Sequence, residues 1–91
     1  MKKQINMTAS EFNKKYKEFL VDKHYGLDIH NREAIEYLDA KFQEFIKRPD
    51  FKYTQIKTKF NTARFYCHGL TNAEVDDVEK DLERILKVKE Y

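Results

Sequence analysis

Apolar residues recur at helical spacing in the first quarter of the chain, with charged residues between them. The repeating positions are Phe12, Tyr16, Phe19 and Leu20. This period predicts an amphipathic helix with one face in the core. Thr8 and Glu11 have the spacing of a capping box, and Met7 precedes them as an apolar staple. Gly26 is expected to end the helix after Tyr25, because glycine readily adopts the left-handed conformation of a C-terminal cap.

A second helix is predicted after a short connector at residues 27–30. Asn31 is placed to cap its start. Its apolar positions, which follow the helical period, are Ile35, Leu38, Phe42, Phe45 and Ile46. Pro49 restricts the residue before it to extended conformations, and Asp50 favours a turn. The chain should therefore change from helical to extended structure near Arg48.

From Phe51 onward the pattern changes to an alternation rich in β-branched and aromatic residues, which predicts a β-hairpin with its turn at Asn61 and Thr62. Side chains of a strand point alternately to its two faces. One face then receives the apolar residues Ile56, Phe60, Ala63, Phe65 and Cys67. The other receives Gln55, Lys57, Lys59, Arg64, Tyr66 and His68. The hairpin should have one apolar and one cationic face.

A third helix follows, and its start repeats the capping chemistry of the first. Thr71 and Glu74 form the predicted capping box, with Leu70 and Val75 as the staple. The apolar stripe comprises Val75, Val78, Leu82, Ile85 and Leu86. The acidic residues of its first turns favour the positive end of the helix dipole.

These elements predict an α+β fold of order ααββα, with a β-hairpin packed on three helices. A chain of 91 residues has room for one core, so residues 1–91 are expected to form a single compact domain. An isolated hairpin is marginally stable in water. Either the helices cover its apolar side or Lys3–Met7 adds a third strand at one edge.

Composition favours a protein of the reducing cytoplasm. Cys67 is the only cysteine, which leaves no partner for an internal disulfide. No segment approaches the run of about 18 apolar residues that spans a bilayer, so neither export nor membrane insertion is expected. The formal net charge of +2 is small, and its distribution is more informative. Residues 51–68 contain four Lys or Arg and no acid.

The cationic face of the hairpin is the candidate binding surface. Its predicted RNA- or partner-binding residues are Tyr53, Lys57, Lys59, Arg64, Tyr66 and His68. Cations neutralise phosphates, and Tyr and Arg planes stack on unpaired bases, so the combination suits single-stranded RNA. An acidic protein partner would fit the same residues, and an ordinary solvated sheet face is the simplest alternative. The acidic third helix makes the molecule bipolar, which would also permit self-association.

The sequence favours a binding protein over an enzyme. A metal-independent ribonuclease using His68 as base with Tyr66, Arg64 and Lys59 is the third hypothesis, but no carboxylate is placed by the sequence to orient His68. Cys67 and His68 are adjacent on a strand and point to opposite faces, so no metal site is expected. With only Gly26 and Gly69 as glycines, no phosphate loop is present and no cofactor is predicted. Cys67 is interpreted as a small buried apolar residue.

The hairpin contains a recognisable sequence motif. The run Gln55–Phe60, followed by Arg64, Phe65 and Tyr66, resembles a QIKxKF strand and RFY strand in uncharacterised small proteins of bacteria and their phages. The resemblance implies a shared hairpin and transfers no catalytic or binding role. Such chains are similar to phage accessory proteins, including inhibitors of host defence systems and toxins. The leading expectation is RNA binding that neutralises such a system, and the alternative is a protein-binding inhibitor of a host enzyme.

Overall fold

A computed structural model describes residues 7–59 and 62–86. Three α-helices and three strands occur there in the order α1, β1, α2, β2, β3 and α3, with a short 3₁₀ helix at Lys17–Phe19 after the first helix. Their bounds are Ala9–Lys15 for α1, Gly26–Leu27 for β1, Arg32–Phe45 for α2, Lys52–Lys59 for β2, Thr62–His68 for β3 and Asn72–Leu86 for α3. The predicted α+β class and the ααββα order of the main elements are confirmed.

The helix starts follow the predicted capping chemistry. Thr8 accepts a hydrogen bond from the Glu11 backbone N–H, while the Glu11 carboxylate accepts one from the Thr8 backbone. Thr71 and Glu74 form the same reciprocal pair before α3. Asn31 Oδ1 accepts from the Ala34 N–H at 3.0 Å at the start of α2. Local side-chain chemistry therefore fixes where all three helices begin.

The first helix is shorter than its hydrophobic pattern predicts. It ends at Lys15 and not at Tyr25. Leu20 forms a parallel bridge with Tyr53, and the Val21 N–H donates to the Tyr53 carbonyl at 2.9 Å. Pairing with a distant strand therefore takes precedence over the local helical period. Gly26 does have a positive φ of 114°, but it begins β1 and does not cap a helix.

A third strand joins the hairpin, although not at the predicted place. The sheet order is β1-β2-β3, with β1 parallel and β3 antiparallel to β2. The segment predicted to be a connector thus begins with a strand, in which Gly26 and Leu27 face Gln55 and Ile56. The predicted alternative at Lys3–Met7 lies outside the described residues except for Met7, which is not in a strand.

The hairpin register places Thr62 opposite Lys59, so Thr62 belongs to β3 and its prediction as a turn residue is wrong. Phe60 is predicted on the apolar face of the hairpin and Asn61 in its turn, and both residues lie outside the described ones. An irregularity between Tyr53 and Gln55 interrupts the ladder, because β2 has one residue more than β3 there. This bulge reverses the alternation of faces toward the start of β2.

The core lies between the helices and one face of the sheet, with Phe42 of α2 at its centre. The Phe42 ring lies 4.9 Å from the rings of Phe12 and Tyr16 and 5.0 Å from that of Tyr53. Leu82 of α3 is also fully buried in this cluster. The helices therefore cover the apolar side of the sheet. None of the helices in the described ranges is long and apolar enough to cross a membrane.

Side chains cap backbone groups at both edges of the sheet. At the β1 edge, the Asn13 amide accepts from the Leu27 N–H at 2.8 Å and donates to the Leu27 carbonyl at 3.1 Å. At the β3 edge, the Ala63 and Phe65 N–H groups donate to the carboxylates of Glu83 and Glu79 at 3.0 and 2.9 Å. Such capping satisfies backbone groups that would otherwise accept an added strand.

Candidate functional site

The face of the sheet opposite the helices presents side chains to solvent. We refer to it as the outer sheet face. Its members are Lys52, Gln55, Lys57, Lys59, Thr62, Arg64, Tyr66 and His68. None of them is buried, and 47% of the Tyr66 surface is exposed. The outer sheet face is therefore a solvent-exposed surface that an external partner can reach.

Cross-strand pairing arranges this face in rows. Lys57 stands directly opposite Arg64. The next row toward the start of β2 pairs Gln55 with Tyr66, and the row beyond it pairs Lys52 with His68. Rows of one face are about 7 Å apart along a strand. An amide and an exposed aromatic ring are thus bracketed on both sides by basic residues.

The pairing of Lys57 with Arg64 opposes like charges, which destabilises a sheet. In the described part of the chain, neither side chain forms an ion pair with an acid. Lys52 Nζ donates to the Glu18 backbone carbonyl at 3.3 Å, and none of the described carboxylates forms an ion pair with it. The positive charge of these rows is therefore not neutralised by neighbouring described residues.

Tyr53 is not part of this surface, and its prediction as a binding residue is wrong. Its side chain is 0% exposed, and its hydroxyl donates to Asn13 Oδ1 at 2.9 Å. Burial raises the pKa of the Tyr53 hydroxyl above its ordinary value. The cause of the error is the bulge after Tyr53, which directs this ring into the core. The same reversal brings Lys52 to the outer sheet face, where simple alternation does not place it.

The remaining predicted residues, namely Lys57, Lys59, Arg64, Tyr66 and His68, all lie on the outer sheet face. The ladder brings Lys57, Arg64 and Tyr66 into adjacent rows. His68 lies at the end of β3, and no carboxylate among the described residues hydrogen-bonds to its ring. In the part of the chain that the structure describes, His68 therefore has no carboxylate that orients its ring, as a general base commonly has.

The other histidines and the cysteine lie apart from the outer sheet face or are half-buried, as far as the structure describes them. His24 and His30 are exposed, and each ring lies near a single carboxylate. Within residues 7–59 and 62–86, no group of three or more His, Cys, Asp or Glu side chains is arranged to hold a metal ion. Cys67 is half-buried on the core face, where burial, and then the charges of Glu79 and Glu74, raise the pKa of its thiol to about 11. Cys67 packs against the core as an apolar residue, but it is half-buried and not buried as predicted.

A polar cleft adjoins the outer sheet face at β1, and no local sequence pattern indicates it. The cleft has a volume of about 320 Å³ and is lined by His24, Tyr25, Gly26, Leu27, Asp28 and Gln55. Gln55 belongs both to this lining and to the middle row beside Tyr66. Tyr25 is 53% exposed at the rim. The cleft exists because β1 pairs with β2, and that pairing is not visible in local sequence patterns.

Comparison of the chain with protein-family models, curated proteins and solved structures finds no match. The resemblance of its hairpin motif to small bacterial and phage proteins therefore stays a prediction. What can be said of this chain's function follows from the geometry of the outer sheet face.

Proposed function

We propose that this protein binds single-stranded RNA on the outer sheet face. The supporting observation is the order of its rows, in which the Gln55 and Tyr66 pair lies between two basic pairs. Single-stranded nucleic acids are bound by cations that follow the backbone and by aromatic rings that stack on bases. The middle row supplies the ring and the flanking rows supply the charge.

The like-charge pair explains why this face favours an anionic ligand. Lys57 and Arg64 repel each other in the free protein because they stand opposite one another and form no ion pair with a described carboxylate. A phosphate placed between them would convert this repulsion into two favourable contacts. Binding energy is thus available at a position where the folded protein alone has a cost.

Salt dependence of RNA affinity tests the proposal. If about four cations contact phosphates, the logarithm of the association constant should fall with the logarithm of salt concentration with a slope of about −3. The assay is a titration of fluorescently labelled single-stranded RNA at several salt concentrations. Absence of binding at low salt would refute the proposal.

Charge reversal separates binding from folding. The double change Lys57→Glu and Arg64→Glu should reduce the slope to about −1.5, because two phosphate contacts are lost. The single change Arg64→Glu should leave the fold equally stable or stabilise it by about 0.2–1 kcal/mol, since it replaces a like-charge pair by an opposite one. Lys14→Glu on α1 is the matched control, because this exposed lysine lies in the helical layer and has the same charge change.

Retained binding in the double variant would place the RNA elsewhere on the molecule. The same variants also test the alternative of an acidic protein partner, which would meet the same cations. Affinity capture before and after nuclease treatment distinguishes the two ligands. A stoichiometric protein that survives nuclease and is lost with the double variant would replace RNA as the ligand of this face.

A further inference from the structure

The middle row of the sheet continues past Gln55 to Gly26 and into the polar cleft. Neighbouring strands are about 4.8 Å apart, so Tyr66 and Gly26 are separated by roughly 10 Å across the sheet. Two exposed tyrosines, Tyr66 at 47% and Tyr25 at 53%, lie along this row and at the rim of the cleft. A single ligand can therefore contact the outer sheet face and the cleft together.

Polar groups that are available for recognition line the cleft. The Gln55 side-chain amide is partly buried and makes no hydrogen bond with any described residue. Asp28 lines the same cleft, and its carboxylate is exposed and lies 3.4 Å from the His30 ring. Gln55 can donate and accept, whereas an ionised Asp28 can only accept.

Charge decides which part of a nucleotide enters the cleft. Asp28 repels phosphate, while the Lys57 and Arg64 row about 7 Å away along β2 attracts it. The backbone is therefore expected to follow the basic rows, and an unstacked base is expected to turn toward the cleft. The volume of about 320 Å³ lies at the lower end of the range for small-ligand sites, roughly 300–1,000 Å³.

Resting on the proposed function, we infer that the cleft formed by Gln55 and Asp28 selects a guanine base of the bound RNA. Guanine presents two adjacent N–H donors, N1–H and the N2 amino group, which match the two oxygens of a carboxylate. Its O6 lies beside them and accepts from an amide such as that of Gln55. Uracil has a single N–H donor on that edge and would leave half of the arrangement unpaired.

The test compares RNAs of about ten nucleotides, a length within the range bound by small single-strand modules. One RNA is uniform oligouridine, and the others have guanosine, adenosine or cytidine at one central position. A matched pair of hydrogen bonds to a base discriminates by roughly 5- to 150-fold, and the exposure of Asp28 places the expected preference for guanosine near the lower limit. Equal affinities within about twofold would overturn the inference.

Two variants assign the preference to the cleft. Gln55→Thr removes the amide and keeps a residue that favours strands, and Asp28→Asn replaces an acceptor by a group that also donates. Both should lose the guanosine preference, and Asp28→Asn, which lies outside the outer sheet face, should in addition keep the salt slope of oligouridine binding. Glu33→Gln, which makes the same charge change at an exposed site on α2, is the control and should keep the preference. Amide NMR spectra of each variant verify the fold.

A mononucleotide titration keeps this inference distinguishable from RNA binding itself. Guanosine monophosphate should give saturable NMR shifts of the Gln55 side-chain amide and the Tyr25 ring, and uridine monophosphate should not. Shifts confined to Lys57 and Arg64 would refute the cleft while RNA binding stands. RNA that fails to bind at low salt would refute the proposed function, and absent shifts at Gln55 would then refute the cleft on independent grounds.

Discussion

Replacing Asn13 by alanine tests how the short strand β1 is held against the rest of the fold. The Asn13 side chain hydrogen-bonds to the Leu27 N–H and carbonyl and also accepts from the Tyr53 hydroxyl, at 2.8, 3.1 and 2.9 Å. A typical intramolecular hydrogen bond contributes about 1 kcal/mol net. Loss of three such bonds should therefore cost about 3 kcal/mol.

Two further effects adjust this magnitude. Alanine is the better helix former by up to about 0.7 kcal/mol, which partly offsets the loss within α1. The former hydrogen-bond partners of Asn13 would remain partly buried without a partner, and this increases the destabilisation, because an unsatisfied buried group costs about 1–3 kcal/mol. We expect the Asn13→Ala variant to unfold with a free energy lower by about 2–4 kcal/mol, measured by urea denaturation followed by circular dichroism.

A double-mutant cycle isolates the bond between Asn13 and Tyr53. Tyr53→Phe removes only this contact and should cost about 1 kcal/mol. The double variant should be less destabilised than the sum of the single ones by about the same amount, because both remove the same bond. Asn72→Ala, at an exposed position in the first turn of α3, is the control and should stay within about 0.5 kcal/mol of the wild type. Equal stability of the Asn13 and Asn72 variants would refute this account of the β1 edge.

The other predictions concern the core, the acid response and the second sheet edge. Phe42→Ala should cost about 4 kcal/mol in urea unfolding, because the ring is 0% exposed and central to the aromatic cluster; a cost below about 1 kcal/mol would contradict that role. The pKa of Glu74 is lowered, first by the Thr71 backbone N–H and also by a neighbouring guanidinium. The ionised Glu74 carboxylate therefore stabilises the fold above the unfolded-state pKa, and this contribution is lost as pH falls through the folded-state pKa. Glu74→Gln, which retains a capping side chain, should flatten the acid side of a plot of melting temperature against pH. An unchanged plot would contradict this role of Glu74. Changing Glu79 and Glu83 together to alanine should expose the β3 edge and promote self-association, measured by sedimentation velocity. Changing both to glutamine, which retains acceptors, should leave the association state unchanged. Identical behaviour of the two variants would contradict the capping role.

Helix starts could be predicted because their determinants are local. The capping boxes at Thr8 and Thr71 involve residues three positions apart, and short-range hydrogen bonds reproduce them in the structure. The end of α1 could not be predicted in this way. Leu20 continues the helical period, but its backbone pairs with Tyr53 in the sheet. Tertiary pairing decides the conformation of residues such as Leu20, and intrinsic helix propensity does not include that pairing.

The candidate surface was predictable wherever alternation is regular. In residues 55–59 and 63–68 each residue lies on the face that alternation predicts, which includes Lys57, Arg64 and Tyr66. Toward the start of β2 the bulge exchanges the faces of Lys52 and Tyr53. Side chains alternate between the two faces, so one extra residue reverses the face of each residue beyond it. A single backbone irregularity thus accounts for both the residue wrongly included and the residue missed.

No local pattern indicates that Asn13 hydrogen-bonds to β1. From the sequence it is simply a polar residue on the outer side of an amphipathic helix. Its function depends on β1, a strand of two residues whose parallel pairing with β2 requires the intervening α2. Gly26 is explained by the same contact, since a Cβ at this position would lie 2.6 Å from Asn13 Oδ1. The two positions are understandable only as a pair.

The placement of acidic residues bears on why the outer sheet face stays positive. The chain has 16 Asp and Glu residues, enough to neutralise its basic rows, yet those nearest to β3 are used differently. Glu79 and Glu83 direct their carboxylates to backbone N–H groups at the β3 edge. They satisfy the edge without forming an ion pair with the Arg64 side chain, as far as the described residues extend. The fold thus stabilises a sheet whose exposed face retains the cost of like-charge pairing, and an anion that binds there would relieve that cost without competing with an internal carboxylate.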